Sequence, residues 1–126
     1  MSYAHLPNAP HIDRILAHVK AYPKEWDVAW DAARGVARGA ALTAAWDVAR
    51  DAARDAARSG VWDAAQAAGR DVAWVAARGA LAALTAWDDA SVLLDQDPDV
   101  LRMAAAAGNP AAVLLLPAVI AMRGGA

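Results

Sequence analysis

Between Trp26 and Arg78 a large or charged side chain recurs at every fourth residue, followed by Asp and then by small apolar residues. The series runs Trp26, Trp30, Arg34, Arg38, then Trp46, Arg50, Arg54, Arg58, Trp62, and resumes at Arg70, Trp74 and Arg78. Asp27, Asp31, Asp47, Asp51, Asp55, Asp63 and Asp71 fill the second place, and Ala or Val fills most of the third and fourth. At about 100° per residue, the first two positions of such a tetrad are expected to lie opposite the last two. One face is then Trp, Arg and Asp, and the other a smooth strip of alanines with an occasional valine. Four residues overshoot a helical turn by about 40°, so the strip drifts and no single face survives the whole series. Several helices are therefore predicted, broken near Gly35 and Gly39, at Ser59-Gly60 and after Arg78.

Outside the series the pattern changes. Ile12, Ile15, Leu16 and Val19 make an apolar stripe that predicts a helix over 10–22, begun by Pro10 and ended by Tyr22-Pro23. Val92-Leu93-Leu94 closes another helix. Asp97 before Pro98 is a helix start, and Gly108-Asn109-Pro110 ends one helix and caps the next, so two short helices are expected over 98–122. The second is apolar on nearly every side and belongs in the centre of the monomer or of a dimer. With mostly alanine elsewhere to cover it, it is expected to drive self-association through Val113, Leu114, Leu116 and Ile120.

A longer repeat overlies the tetrads. Asp27-Val28-Ala29-Trp30, with Ala32-Ala33-Arg34-Gly35, returns as Asp71-Val72-Ala73-Trp74 with Ala76-Ala77-Arg78-Gly79. Ala41-Leu42-Thr43-Ala44 returns as Ala83-Leu84-Thr85-Ala86. The spacing of about 44 residues suits a helix pair. The expectation is one all-α domain over 1–126, an alanine-rich helical bundle with an internal duplication and tetrad helices over 26–94.

Composition narrows the function classes. A chain of 126 residues can bury a core without metal or disulfide staples. It is 59% hydrophobic yet has a mean hydropathy of only +0.20, because much of that fraction is alanine, the best helix former. Phe is absent, and six tryptophans carry most of the large aromatic surface, so indoles are expected to lock thin alanine layers. There is no cysteine, which excludes disulfides and thiolate chemistry. A net charge of −2 with interleaved signs offers no field for nucleic acid. Residues 103–122 are apolar enough to suggest a membrane span, but Gly108-Asn109-Pro110 and Pro117 favour two buried helices and no membrane. The first ten residues lack the character of a secretory signal, so a cytoplasmic location is expected.

Candidate chemistry is sparse. His11 and His18, with His5 upstream, lack the spacing of a metal pair and read as surface histidines. Asp95, Asp97 and Asp99 alternate like a calcium loop, but Val100 and Ala106 stand where that loop needs Gly and Glu. Ser2, Ser59 and Ser91 sit in no nucleophile constellation. No catalytic residue, metal or cofactor is expected, and the chain reads as a non-enzyme. The Asp/Arg array is explained by i,i+3 pairs such as Asp47–Arg50, Asp51–Arg54 and Asp55–Arg58, which support helices and keep them soluble. A sharper reading takes Trp30-Arg34, Trp46-Arg50 and Trp74-Arg78 as ligand surfaces. There the indole would stack on a planar ring and the guanidinium would grip an anionic, nucleotide-like group.

The stretch Trp46-Asp-Val-Ala-Arg-Asp-Ala-Ala-Arg-Asp-Ala-Ala-Arg58 resembles Ala/Trp/Arg-rich tetrad-repeat proteins of high-GC actinobacteria and their phages, some of them grouped as immunity-type domains. The resemblance covers residues 26 to 90. It implies a small accessory protein that binds another molecule, and it supplies no catalytic residue. Together these readings predict a non-enzymatic protein-interaction module, homo-oligomeric, with a protein partner. The alternative is a binder of an anionic small molecule.

Overall fold

The computed structural model describes residues 4–36, 39–55, 58–60, 62–63 and 72–124. Arg38, Arg70 and Asp71 of the tetrad series lie outside them. Helix α1 (Ala9–Ala21) is followed after one residue by α2 (Pro23–Arg34), then by α3 (Ala40–Ala52) and α4 (Val72–Ala86). A short α5 (Ser91–Leu94) leads to α6 (Pro98–Ala106) and α7 (Pro110–Val119), which runs on into a π-helical turn, Ile120–Gly124. No strand occurs among the described residues, and the protein is an all-α bundle.

Two helices form its centre. Every described residue of α4 from Gly79 to Ala86 is buried, as is α7 from Ala112 to Val119. They pack on each other, while α1, α2 and α3 pack on α4, and α2, α3 and α6 on α7. Contact between the central pair is close because Gly79 has no side chain. A Cβ built there would lie 3.0 Å from the Leu114 carbonyl oxygen, a backbone atom that cannot swing aside.

The expected self-association surface is corrected by this arrangement. Val113, Leu114 and Leu116 are 5%, 2% and 1% exposed within one chain, so they are core residues with no face left for a second copy. Ile120 is half-buried in the π-turn. Alanine covers α7 well for the reason it looked inadequate: small side chains let helix backbones approach, and proximity replaces bulk.

The tetrad helices bury a different pair of positions from the one expected. The fourth positions form the core line, with Ala29 and Ala33 of α2 and Ala45 and Ala49 of α3 all buried. In α2 and α3 the third-position valines face solvent, Val28 being 69% and Val48 47% exposed, whereas Ala76, in the same position of α4, is fully buried. The first position joins the fourth: Trp26 is fully buried, and Trp30, Trp46 and Trp74 are half-buried against the core. Positions one and four are i,i+3 neighbours, about 60° apart on the helix, so Trp shares the alanine face rather than opposing it. Burying an indole outweighs leaving it beside Asp. Arg34, Arg50 and Arg54 in the same position remain exposed.

The sequence echo is not repeated in helix boundaries. In the first copy α2 stops at Arg34 and α3 begins at Ala40, after Gly39 with φ of 63°. In the second, α4 continues through Gly79 to Ala86. Burial against Leu114 holds Gly79 in the helix, whereas Gly35 is exposed.

The apolar stretch over 103–122 is interrupted as its sequence suggests. Asp97 Oδ1 accepts from Asp99 N at 2.8 Å to start α6, and Asn109 Oδ1 accepts from Ala112 N at 3.0 Å to start α7. Gly108, with φ of 91°, turns the chain between them. Among the described residues no helix is long and apolar enough to cross a membrane.

Candidate functional site

The six residues of the Trp/Arg pairs are distributed over three helices, α2, α3 and α4. Trp46 makes an edge-to-face contact with Trp62, ring centroids 5.6 Å apart and planes at 88°, which docks the helical residues 62–63 on α3. Arg34 pairs with Asp31 at 3.7 Å, and Arg50 is exposed on α3. Arg78 and Trp74 are half-buried on α4. Of the helix-supporting pairs, Asp51–Arg54 and Asp55–Arg58 form, as does Asp99–Arg102 at 2.7 Å.

Long-range polar contacts converge instead on the C-terminal end of α4, where backbone carbonyls lack helical partners. Asn8, 1% exposed, donates its Nδ2 to the Leu84 carbonyl at 3.0 Å and to the Trp87 carbonyl at 2.9 Å. Arg58 donates to the Thr85 carbonyl and to Asp88 Oδ1, both at 2.7 Å, and its Nε lies 3.4 Å from Asp55 Oδ2. A cation here also meets the negative end of the helix dipole. At the α1–α2 corner, the fully buried Trp26 donates its indole N–H to His18 Nδ1 at 2.8 Å, and Tyr22 leans on the same imidazole at 4.8 Å. The sequence around Asn8 carries no signal of its role, that around Arg58 points only to its local pair with Asp55, and His18 reads there as a surface residue.

Two clefts of about 460 Å³ open on the surface. The first lies between α3, α5 and the start of α7, with Val48, Trp87, Val92, Leu93 and Pro110 in its walls. Val92 is 59% exposed, and Asp89 is the only ionisable group in the lining. The second lies between the start of α2, α6 and the π-turn. Val28, Ala29, Ile120 and Ala121 form its apolar part, and Lys24, Glu25 and Arg102 its charged rim. The residues of the Trp/Arg pairs line neither.

Among the described residues no three metal-ligating side chains come together. The geometry is that of a helical bundle with two open, mostly apolar recesses among the described residues. Comparison with protein-family models, with curated proteins and with solved structures finds no match to this chain.

Proposed function

We propose that this protein is a non-enzymatic binding module of the cytoplasm, of the accessory or immunity type that its tetrads resemble, and that it engages a partner protein through the cleft between α3, α5 and α7. The observation that carries this reading is the pair of apolar side chains that α3 and α5 leave in solvent at one recess. Val48 from α3 and Val92 from α5 stand 47% and 59% exposed in a lining they share with the half-buried Trp87. Burial of such groups contributes to stability, so valines left outside the core beside a half-buried indole suit the apolar centre of a protein interface. With one carboxylate and no cation, the lining is ill-suited to an anionic small molecule.

The test is native mass spectrometry of the chain purified from its own host, which reads subunit number and any retained partner together. Wild type is expected to carry a second polypeptide that Val48→Asp and Val92→Asp both lose, with thermal unfolding of the isolated variants unchanged. A partner retained by both variants, or a wild-type chain that is always alone, would remove the proposal.

A further inference from the structure

The second cleft differs from the first in charge. Lys24 occupies the first turn of α2, where a cation opposes the helix dipole, and among the described residues it takes part in no ion pair. Arg102 approaches from α6 and engages Asp99 through Nη1, so the rest of its guanidinium fork is open to another acceptor. Glu25 is the sole carboxylate in the lining, and Asp99, outside it, already meets part of the Arg102 guanidinium, so Lys24 and the open side of Arg102 are the cationic groups the rim offers.

Beneath the rim the surface is apolar. Ala29 and Ala121 are 0% and 3% exposed and form the floor, with Ile120 half-buried beside them and Val28, 69% exposed, as an upright wall. Ile120 and Ala121 belong to the π-helical turn Ile120–Gly124. A π-turn of this kind is a usual way for a helix to end, and here it brings Ile120 and Ala121 to the recess. Upstream, Pro117 lies inside α7 and supplies no amide hydrogen. A recess of about 460 Å³ falls within the size range of small-molecule sites.

We infer that this cleft binds an amphipathic organic anion, a medium-chain alkyl carboxylate, with its head group between Lys24 and Arg102 and its chain along Val28, Ala29, Ile120 and Ala121. The alkyl chain carries most of the affinity and the carboxylate adds to it. The rim charges are solvent-screened and contribute modestly, while the apolar floor gains with each methylene that it covers. This site is independent of the protein-binding cleft, and either can fail without the other.

The experiment is an amide NMR titration of the full chain with sodium octanoate, kept below its micelle concentration, and in parallel with 1-octanol and with acetate. Octanoate is expected to give saturable shifts centred on Val28, Ile120 and Ala121. Octanol should bind more weakly by up to about fivefold, the worth of a surface charge contact, and acetate should give no saturation. Lys24→Gln and Arg102→Gln, both on accessible side chains, should each bring octanoate toward the affinity of octanol and leave octanol unchanged. Val28→Asp should abolish both while the helical circular dichroism is retained. Unsaturated shifts, shifts centred elsewhere, equal binding of octanol and octanoate in wild type, or indifference to both rim variants would each overturn the assignment.

Discussion

The indole N–H of Trp26 and Nδ1 of His18 meet at 2.8 Å, and that contact ties the end of α1 to the first turns of α2. As the acceptor, Nδ1 carries no proton, so the imidazole holds its hydrogen on Nε2. The donor is a fully buried side chain with no water to turn to. Removal of the acceptor in His18→Ala is expected to cost about 1–3 kcal/mol, the usual penalty for a stranded buried donor. In a Trp26→Phe background there is no donor to strand, and the same change should cost well under that. Urea unfolding of the four proteins in this cycle decides it, and equal losses in both backgrounds would show that the hydrogen bond is unimportant.

Arg58 should behave as a fastener rather than as a surface charge. Its side chain is 19% exposed and bonds both to the Thr85 carbonyl and to Asp88. Arg58→Ala is expected to lower stability by about 1.5–3 kcal/mol, as for hydrogen bonds from a charged donor. Arg54→Ala, whose partner Asp51 is solvent-exposed, should lie within about 0.5 kcal/mol of wild type. Comparable denaturation midpoints for the two variants would contradict this assignment.

Two glycine-to-alanine changes are expected to move stability in opposite directions. Gly35 has helical backbone angles and only a 3.6 Å contact for an added Cβ, so Gly35→Ala should stabilise by about 0.4–1 kcal/mol. Gly79→Ala gains the same helical preference but drives a methyl to 3.0 Å from the Leu114 carbonyl oxygen, and a net loss of about 1–3 kcal/mol is expected. Thermal unfolding reads the sign directly.

The Trp/Arg pairs can be divided at α3. Trp46→Ala breaks the contact with Trp62 and removes a half-buried indole, for an expected loss of about 2–4 kcal/mol. Arg50→Ala, on an exposed position, should leave the melting temperature where it was. No member of a nucleotide panel is expected to raise that temperature. A stabilisation by one nucleotide, lost in Arg50→Ala, would instead revive the stacking-and-fork ligand surface.

Leu116→Ala tests where α7 is buried. A 1% exposed leucine in a single-chain core should cost about 2–5 kcal/mol, by the same amount at every protein concentration. An unfolding midpoint that rises with concentration would mean that a second copy shares the load.

What could be read from the chain was what is local. The α1 stripe, the caps at Asp97 and Asn109, the break at Gly108 and the apolarity of α7 each depend on residues within a turn or two. All are present in the structure. Contacts between distant segments were not legible. Asn8 finds the Leu84 carbonyl 76 residues further on, and Arg58 finds that of Thr85 across 27, and in neither case does the nearby sequence differ from an ordinary turn or tetrad. The two clefts were invisible for the same reason: Lys24 and Arg102 share a rim only because α2, α6 and the π-turn converge. The orientation of the tetrads was misjudged because first and fourth positions adjoin around the helix although they stand at opposite ends of the written unit.

In most proteins the core is damaged by losing atoms. Here much of the buried surface is already alanine, at Ala29, Ala33, Ala45, Ala49, Ala76, Ala77, Ala80, Ala82 and Ala83, and backbones are drawn together over it. The dangerous direction of change is therefore growth. A single-nucleotide step from alanine to valine or threonine inserts bulk where helices already touch. Such a lineage would drift by exchanging the solvent-facing third-position valines of α2 and α3 and its surface charges, while the alanines of its interior stay small.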